Sequence, residues 1–283
     1  HEVRLFARGE NRDAIRSRGL EVREPEGAWK TAVVATDEAA ELLPADLAIV
    51  AVKSYSLSEV APVVAKLAEA GAVVLPLLNG VEAFESLAEA GVAADRMLAG
   101  LAVISAEKTA PGIFTRKSDF RTVILGERRG GGSERAEHVA AVFREAGADA
   151  RVSEDIAVDL WRKFLFLATL AAACGLSRAP IGAVREAPLG PELLQRAGRE
   201  IAAVARARGI PLPAGEEDKV LQTMAALPAG TKPSFLLDLE RGGPNELDIL
   251  SGAVSRYGRA SGVPTPIHDT AAAALSAGAA RRG

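Results

Sequence analysis

The hydrophobic and polar positions follow different patterns in the two halves of the chain. Up to about residue 152, apolar runs of strand length alternate with longer segments that have a helical period. Two of the runs, residues 47–52 and 72–78, are apolar throughout, which is typical of parallel strands covered on both faces. The alternation predicts a doubly wound α/β sheet. Strands are predicted at residues 1–8, 20–22, 31–36, 47–52, 72–78, 96–105, 121–126 and 150–152, and helices at residues 11–18, 57–70 and 133–146.

After residue 152 the strand pattern ends and only helical patterns follow, divided by glycine and proline. We therefore expect two domains, residues 1–151 with an α/β fold and residues 152–283 with helices alone. Ligands commonly bind in the crevice between two such domains. Helices are predicted at residues 153–176, 191–208, 215–226, 233–241, 246–260 and 266–280.

The helix at residues 153–176 carries the first candidate for chemistry, Lys163. Residues 164–174 contain a single polar residue, Thr169, which predicts that this stretch is buried on every side. A lysine packed against such an apolar surface loses hydration, so its pKa falls toward the range in which it can exchange a proton in a reaction. The alternative is an ordinary surface pair with Asp159, four residues earlier at helical spacing.

Composition and charge exclude several classes of protein. The 34 basic and 37 acidic residues leave a net charge of −3 without any block of like charge, so we expect no nucleic acid and no anionic membrane as a partner. No apolar run reaches about 18 residues, the length needed to span a bilayer. Cys174 is the single cysteine and the three histidines are scattered, which excludes an internal disulfide and argues against a metal site. These features fit a cytoplasmic protein.

The α/β half lacks a motif common to nucleotide-binding sheets. No G-x-G-x-x-G stands between a strand and a helix, whereas the first residues behave like the second strand of such a unit. We expect roughly 20 to 25 residues, comprising one strand, the glycine-rich turn and one helix, to be absent upstream of His1. At the end of that second strand an arginine suits the 2′-phosphate of NADP, and Arg8, with Arg12 one turn later, occupies this position. Glu10 nearby complicates this interpretation, and an arginine at a strand end is in itself commonplace.

Five segments, taken together and in order, carry a resemblance to a known family. They are HEVRLFAR at the start, AVK at residues 51–53, NG at 79–80, LWRKFLF at 160–166 and PSFLLDLERGGPNELDILSG at 233–252. With these segments the chain resembles ketopantoate reductase (2-dehydropantoate 2-reductase) over nearly its whole length. The resemblance implies a Rossmann-like NADP-binding domain and a helical domain like that of 6-phosphogluconate dehydrogenase. It also implies reduction of ketopantoate by NADPH, on the route to pantothenate and coenzyme A.

The resemblance further implies roles for individual residues. Lys163 corresponds to the lysine that acts as general acid to the carbonyl oxygen, and Glu246 to the glutamate that binds the substrate hydroxyl and helps orient that lysine. Ser234 corresponds to the serine at the substrate carboxylate. Lys53 and Asn79 correspond to the lysine and asparagine between the nicotinamide and the substrate. In the same way, the position of Arg8 corresponds to the arginine that reads the 2′-phosphate.

Each of these positions also has a purely structural explanation. Ser234 follows a proline in the first turn of a predicted helix, Glu246 stands at a helix start that favours a carboxylate, and Asn79 with Gly80 could form only a turn. Glu246, however, shares a helical face with apolar residues, so its side chain is expected to point toward the apolar side. Lys53 and Asn79 both end apolar strands, which favours a site over coincidence.

Two positions depart from the family pattern. Many members have asparagines one and two turns beyond the catalytic lysine, where this chain has Leu167 and Ala171. Loss of two amides predicts a more apolar pocket. Three hypotheses follow: an NADPH-dependent reductase of ketopantoate, a reductase of another 2-keto acid that is less hydroxylated or bulkier, and a non-catalytic NADP-binding protein. The alanine-rich end, residues 270–280, packs either against its own core or against another subunit, so a homodimer is one alternative.

Overall fold

The computed structural model describes the backbone of residues 1–280 and the side chains of residues 1–276. The chain divides into two compact units. Unit 1 comprises His1–Ala51, Leu57–Leu78 and Phe84–Ile156, and unit 2 comprises Val52–Ser56, Asn79–Ala83 and the chain from Ala157 onward. Two short segments from the first half of the sequence therefore belong to unit 2.

Within the described residues, the strands of unit 1 form four sheets, β1-β4, β5-β6, β11-β10-β7 and β3-β2-β9-β8. In the first three, β1 pairs in parallel with β4, β5 with β6, and β10 with β11. β7 is antiparallel to β10, and Met97, two residues before β7, forms an isolated parallel bridge to Val74 of β6. The α/β architecture expected from the apolar runs is confirmed, although most strands are shorter than predicted. The strands of unit 1 are β1 (Arg4–Phe6), β2 (Leu20–Glu24), β3 (Gly27–Thr31), β4 (Val34–Thr36), β5 (Leu47–Val50), β6 (Val73–Pro76), β7 (Ala99–Val103), β8 (Ala106–Ala110), β9 (Ile113–Arg116), β10 (Thr122–Gly126) and β11 (Asp149–Val152).

The four-stranded sheet of unit 1 was largely missed in the strand predictions. Its strand order is β3-β2-β9-β8, and it contains two hairpins. Every residue of β3 is exposed and β8 is mostly exposed, so neither strand has the apolar alternation that marks a half-buried strand. The buried guanidinium of Arg116 stabilises this sheet, with nitrogens 2.9 Å from Glu24 and 2.6 Å from Glu26.

The helices of unit 1 pack against the sheet. α2 contacts β5 and β6, and α4 contacts β10 and β11. α1 ends where predicted, at Gly19 with φ +80°, a conformation that favours glycine. α4 begins after Ser133, whose side chain accepts a hydrogen bond from the amide of Ala136 at 3.2 Å. The helices are α1 (Gly9–Arg18), α2 (Leu57–Glu69), α3 (Ala83–Glu89) and α4 (Glu134–Glu145).

Unit 2 is helical and is built around one long buried helix, α5. Of residues 164–174, all are buried except the half-buried Phe166 and Leu167, as the composition of this stretch predicted. One core cluster joins Phe164 and Ala168 to residues of four further helices, among them Ile201 and Phe235. The helices are α5 (Ile156–Ser177), α6 (Ile181–Glu186), α7 (Gly190–Ala207), α8 (Glu216–Ala225), α9 (Ser234–Arg241), α10 (Ala253–Ser261) and α11 (Pro266–Ala280).

The prediction that α5 starts at Ser153 is wrong. The helix begins at Ile156, and the backbone amide of Ser153 instead donates to the carbonyl of Leu125 at 2.8 Å. Ser153 thus extends the ladder between β10 and β11 before the chain turns into the helix. The pairing of Ser153 with β10 is a contact between separate segments, which the local pattern of residues 153–176 does not show.

The helix predicted at residues 246–260 is not uniform. Asp248–Gly252 form a π-helical segment, in which the amide of Gly252 donates to the carbonyl of Leu247 at 3.0 Å, and α10 follows it directly. At its start, the Asn245 side chain accepts from the amide of Leu247 at 3.1 Å. π-Helical turns are rare and occur frequently at functional sites.

The last described helix, α11, packs on the core of its own unit through the buried residues His268, Ala271 and Leu275. The amides of Ile267 and His268 in its first turn donate to the side chain of Glu200 on α7. The alanine-rich end of residues 270–280 lies partly outside the described residues, since side chains are described only as far as Ser276. None of the described helices combines the length and the hydrophobicity needed to cross a membrane.

Candidate active site

Lys163 lies on the second turn of α5, where the helix becomes wholly apolar. Its side chain is half-buried, and among the described residues its amine has no hydrogen-bond or ion-pair partner. The alternative of a surface pair with Asp159 is wrong, because the nearer partner of Asp159 is Arg162, at 3.5 Å. Burial lowers the pKa of Lys163 from 10.5 to about 8, and the negative charge of Glu246 opposes this effect.

Glu246 is a buried carboxylate with two polar partners from segments that are distant in the sequence. It is 3% exposed, and its Oε2 accepts from Lys53 Nζ at 3.2 Å and from Asn79 Nδ2 at 3.3 Å. The predicted burial of Glu246 is thus observed, although Glu246 precedes the helical segment, which begins at Asp248. No hydrogen bond to Glu246 Oε1 is formed within the described part of the chain, so this oxygen remains able to accept one from a ligand.

Lys53 and Asn79 reach Glu246 from two segments that each come directly after a strand. Each follows a parallel strand by three residues, Lys53 after β5 and Asn79 after β6, and both belong to unit 2. Their positions at strand ends favoured a common site, and the structure brings both side chains to one carboxylate oxygen.

Asp238, on α9, is a site residue that the sequence analysis did not identify. Its Oδ2 lies 3.2 Å from Lys53 Nζ, so Lys53 bridges two carboxylates. A signal was available, because Asp238 interrupts an otherwise apolar stretch of helix and stands four residues after Ser234. This spacing places Ser234 and Asp238 on one face of α9, and Ser234 itself is exposed at the first position of the helix.

The two lysines of the site have opposite electrostatic environments. Burial lowers the pKa of Lys53 too, but the charges of Glu246 and Asp238 and the hydrogen bonds to them outweigh burial, so its pKa lies above 10.5. Lys163 has no such bonds, and its pKa falls to about 8. Ionisable groups whose environments separate their pKa values are typical of acid–base sites. Lys53 is therefore a stable cation, whereas Lys163 can gain or lose a proton near neutral pH.

The two positions that depart from the family pattern lie against the core. Leu167 is half-buried and packs against the cluster around Phe164, and Ala171 is 2% exposed within that cluster. The position of Leu167 fits the expectation of apolar surroundings beyond Lys163. Ala171, by contrast, is a core residue in this structure.

Arg8 belongs to unit 1 and lies at the junction of β1 and α1. Its guanidinium is 3.0 Å from Glu59 Oε2 and 5.0 Å from the ring centre of Phe6. Arg12, one turn later, is paired with Asp37 and Asp13. Two guanidiniums at a strand-to-helix junction fit a phosphate in charge and hydrogen-bonding capacity, although a phosphate would have to compete with Glu59 for Arg8.

Within the described residues, no three side chains of His, Cys, Asp or Glu are grouped closely enough to hold a metal ion.

Two family models match the chain. Residues 1–130 match the model described as ketopantoate reductase PanE/ApbA, and residues 155–279 match its C-terminal counterpart. The chain belongs to the ketopantoate reductase family. Among curated members, the 2-dehydropantoate 2-reductase of Halobacterium salinarum is 33% identical over 95% of this chain and 88% of its own length.

Solved structures of the family have the same fold. The PanE/ApbA family ketopantoate reductase from Ralstonia eutropha JMP134 matches with a TM-score of 0.89 and 26% identity, over 99% of this chain and 91% of its own. A D-mandelate dehydrogenase with NADH and anilino(oxo)acetate matches with a TM-score of 0.85, over 96% of this chain and 88% of its own. At 22% identity the latter match shows a common fold only. The Rossmann-like α/β fold followed by a helical domain, implied by the family resemblance, is thereby confirmed.

Proposed function

We propose that the chain is an NADPH-dependent reductase of 2-keto acids, with ketopantoate as the first candidate substrate and pantoate as the product. The observation that carries this proposal is the group of Lys163, Glu246, Lys53 and Asn79 in a member of the ketopantoate reductase family. Relatives named 2-dehydropantoate 2-reductase support the substrate class. The proposed place of the reaction is pantothenate and coenzyme A biosynthesis.

Lys163 is the proposed general acid. When a ketone is reduced, its carbon receives a hydride, which NADPH supplies when bound, and its oxygen becomes negatively charged. An ammonium beside that oxygen stabilises the charge and then transfers a proton, which leaves the product alcohol and a neutral lysine. With a pKa of about 8, most Lys163 side chains carry the proton at pH 7, and giving it up costs less than for an ordinary lysine.

Glu246 and its partners are the proposed binding and orienting groups. Its free oxygen, Oε1, suits a substrate hydroxyl, while Oε2 is held by Lys53 and Asn79. Because the carboxylate is buried and already accepts two hydrogen bonds, it can orient a hydrogen-bond donor of the substrate without changing its own position. Ser234 is the proposed contact of the substrate carboxylate.

The NADP preference is proposed from Arg8 and Arg12. A 2′-phosphate can accept from both guanidiniums, whereas the 2′-hydroxyl of NAD offers them no negative charge. Comparing kcat/KM for NADPH and NADH in the wild-type protein and in Arg8→Gln tests this point. A preference for NADH in the wild type would contradict it.

A second substrate class is favoured by Leu167. An apolar side chain one turn beyond Lys163 suits a 2-keto acid with a bulky apolar substituent. A panel of ketopantoate, branched-chain and phenyl-substituted 2-keto acids would rank the substrates. Higher kcat/KM for a phenyl-substituted acid would displace ketopantoate as the substrate.

The decisive experiment measures the rate of NADPH oxidation by the full-length protein and by Lys163→Ala. We expect kcat to fall by a factor of about 100 or more, because both charge stabilisation and the proton donor are removed. Lys66→Ala, an exposed lysine on α2, serves as the control. An undiminished rate in Lys163→Ala would end the assignment, and NADPH binding without turnover in the wild type would favour a non-catalytic protein.

A further inference from the structure

Residues 79–83 form a short loop that contacts the helix following Glu246, and we call it the Asn79 loop. Gly80 has φ +90°, and a Cβ at this position would lie 3.2 Å from Ile249 Cδ1 in the π-helical segment. Val81 packs against the core cluster around Phe164. The backbone of the loop is therefore seated directly on the segment Asp248–Gly252.

Arg256, on α10, joins the Asn79 loop to the same segment. Its Nη2 lies 3.1 Å and 2.8 Å from the two carboxylate oxygens of Glu82, which is only 20% exposed. Its Nη1 lies 2.5 Å from Asp248 Oδ1, and Nη2 also contacts the carbonyl oxygen of Asp248 at 3.2 Å. A planar guanidinium that engages two carboxylates fixes geometry as well as charge.

The position of these contacts links them to the candidate site. Glu82 is three residues after Asn79, and Asp248 is two residues after Glu246, so Arg256 ties together the two segments whose side chains meet in the bond from Asn79 Nδ2 to Glu246 Oε2. We propose that Arg256 is a positioning residue, which holds the Asn79 loop in register with Glu246 through Glu82 and Asp248. The proposal rests on the proposed function in so far as Asn79 and Glu246 act in the reaction.

The test compares Arg256→Met with Arg259→Met in the full-length protein. Arg259 lies on the same helix and forms an exposed ion pair with Asp269 at 3.3 Å, so it is a matched control. Hydrogen exchange of a peptide that covers the Asn79 loop reports the loop directly. The effect on the candidate site is measured as kcat/KM with the best 2-keto acid. Each substitution is made both in the wild-type protein and in Asn79→Ala.

We expect Arg256→Met to accelerate exchange in the Asn79 loop and to lower kcat/KM about tenfold, since small displacements of positioned groups have effects of this size. In the Asn79→Ala background the same substitution should change kcat/KM less than about twofold, because residues that act through one another are not additive. Arg256→Lys, which keeps the charge but not the planar fork, should fall between Met and wild type.

Three results would overturn the proposal: unchanged exchange in Arg256→Met, an equal effect of Arg259→Met, or a full additional loss in the Asn79→Ala background. The last result would show that Arg256 does not act through Asn79. A wild-type protein that turns over no 2-keto acid would contradict the proposed function instead. The exchange measurement would then still decide whether Arg256 holds the loop.

Discussion

Burial of the Lys163 ammonium should make the protein less stable at neutral pH than it would be with an apolar side chain in that place. The pKa of Lys163 falls from 10.5 to about 8, and at about 1.4 kcal/mol per pKa unit the folded state disfavours the charged form by roughly 3 kcal/mol. Lys163→Met keeps the shape of the side chain and removes the charge. We therefore expect Lys163→Met to be more stable at pH 7 while it loses activity, as is common for residues kept for function.

The lowered pKa of Lys163 determines how the stability of the wild type changes with pH. Between pH 8 and pH 10.5 the unfolded chain retains the proton on Lys163 while the folded protein releases it, so the stability of the wild type rises with pH in this window. The cost of burial is fully present below pH 8 and is relieved above it. The advantage of Lys163→Met should accordingly shrink from roughly 3 kcal/mol at pH 7 to about 1 kcal/mol at pH 10.

The assay is urea unfolding at pH 7, 8.5 and 10, followed by the fluorescence of Trp161. This residue is 5% exposed in unit 2 and packs edge-to-face on Phe164, one residue from Lys163, with ring centres 5.4 Å apart. The chain has two tryptophans, so a Trp29→Phe background leaves Trp161 as the single reporter. Lys66→Met, at an exposed position of α2, is the matched control and should show no such trend.

A Lys163→Met variant that is less stable than the wild type at pH 7 would contradict this expectation. A difference in stability between the two proteins that does not change from pH 7 to pH 10 would contradict it equally. Either result would mean that the ammonium of Lys163 remains well hydrated in the folded state.

Two further outcomes are expected. The charge of Glu246 raises the pKa of Lys163, so Glu246→Gln should lower that pKa. The residual kcat/KM of this variant should therefore begin to decline at a lower pH than that of the wild type. A pH–rate profile that stays in place or moves to higher pH would contradict this. Thr169 is fully buried, and its Oγ1 has no hydrogen-bond partner among the described residues. Thr169→Val keeps the shape of the side chain and should raise the free energy of unfolding by about 1 kcal/mol, as measured by urea unfolding at pH 7. A loss of stability would indicate that the hydroxyl has a partner.

The features that were predicted correctly depend on local sequence. The burial of residues 164–174 follows from a helix with almost no polar position, and the end of α1 follows from Gly19, whose positive φ favours glycine. The expected fall in the pKa of Lys163 has the same origin, because an apolar wall beside a lysine is visible in the sequence.

Most of the features that were missed depend on partners in another segment of the chain. Ser153 donates its amide to the carbonyl of Leu125 at β10, and α5 begins only at Ile156. The pair of Asp159 with Arg162 is an exception, because i,i+3 and i,i+4 spacings both occur on a helix and the sequence does not choose between them. Asp238 was overlooked because its role comes from Lys53, 185 residues away in the chain. The π-helical segment has no signature in a hydrophobic pattern, since one extra residue in a turn changes the period only locally.

The roles proposed for the two lysines follow from how one carboxylate is shared. Glu246 commits Oε2 to Lys53 and Asn79, and Lys53 gains a second carboxylate from Asp238, so its charge is balanced by direct bonds. Lys163 interacts with the same glutamate only through the longer-range effect of its charge, which does not compensate for burial. If Glu246 turned toward Lys163, the pKa of Lys163 would rise and its proton would be harder to release. In the proposed mechanism, the bond between Glu246 and Lys53 thus favours release of the proton from Lys163.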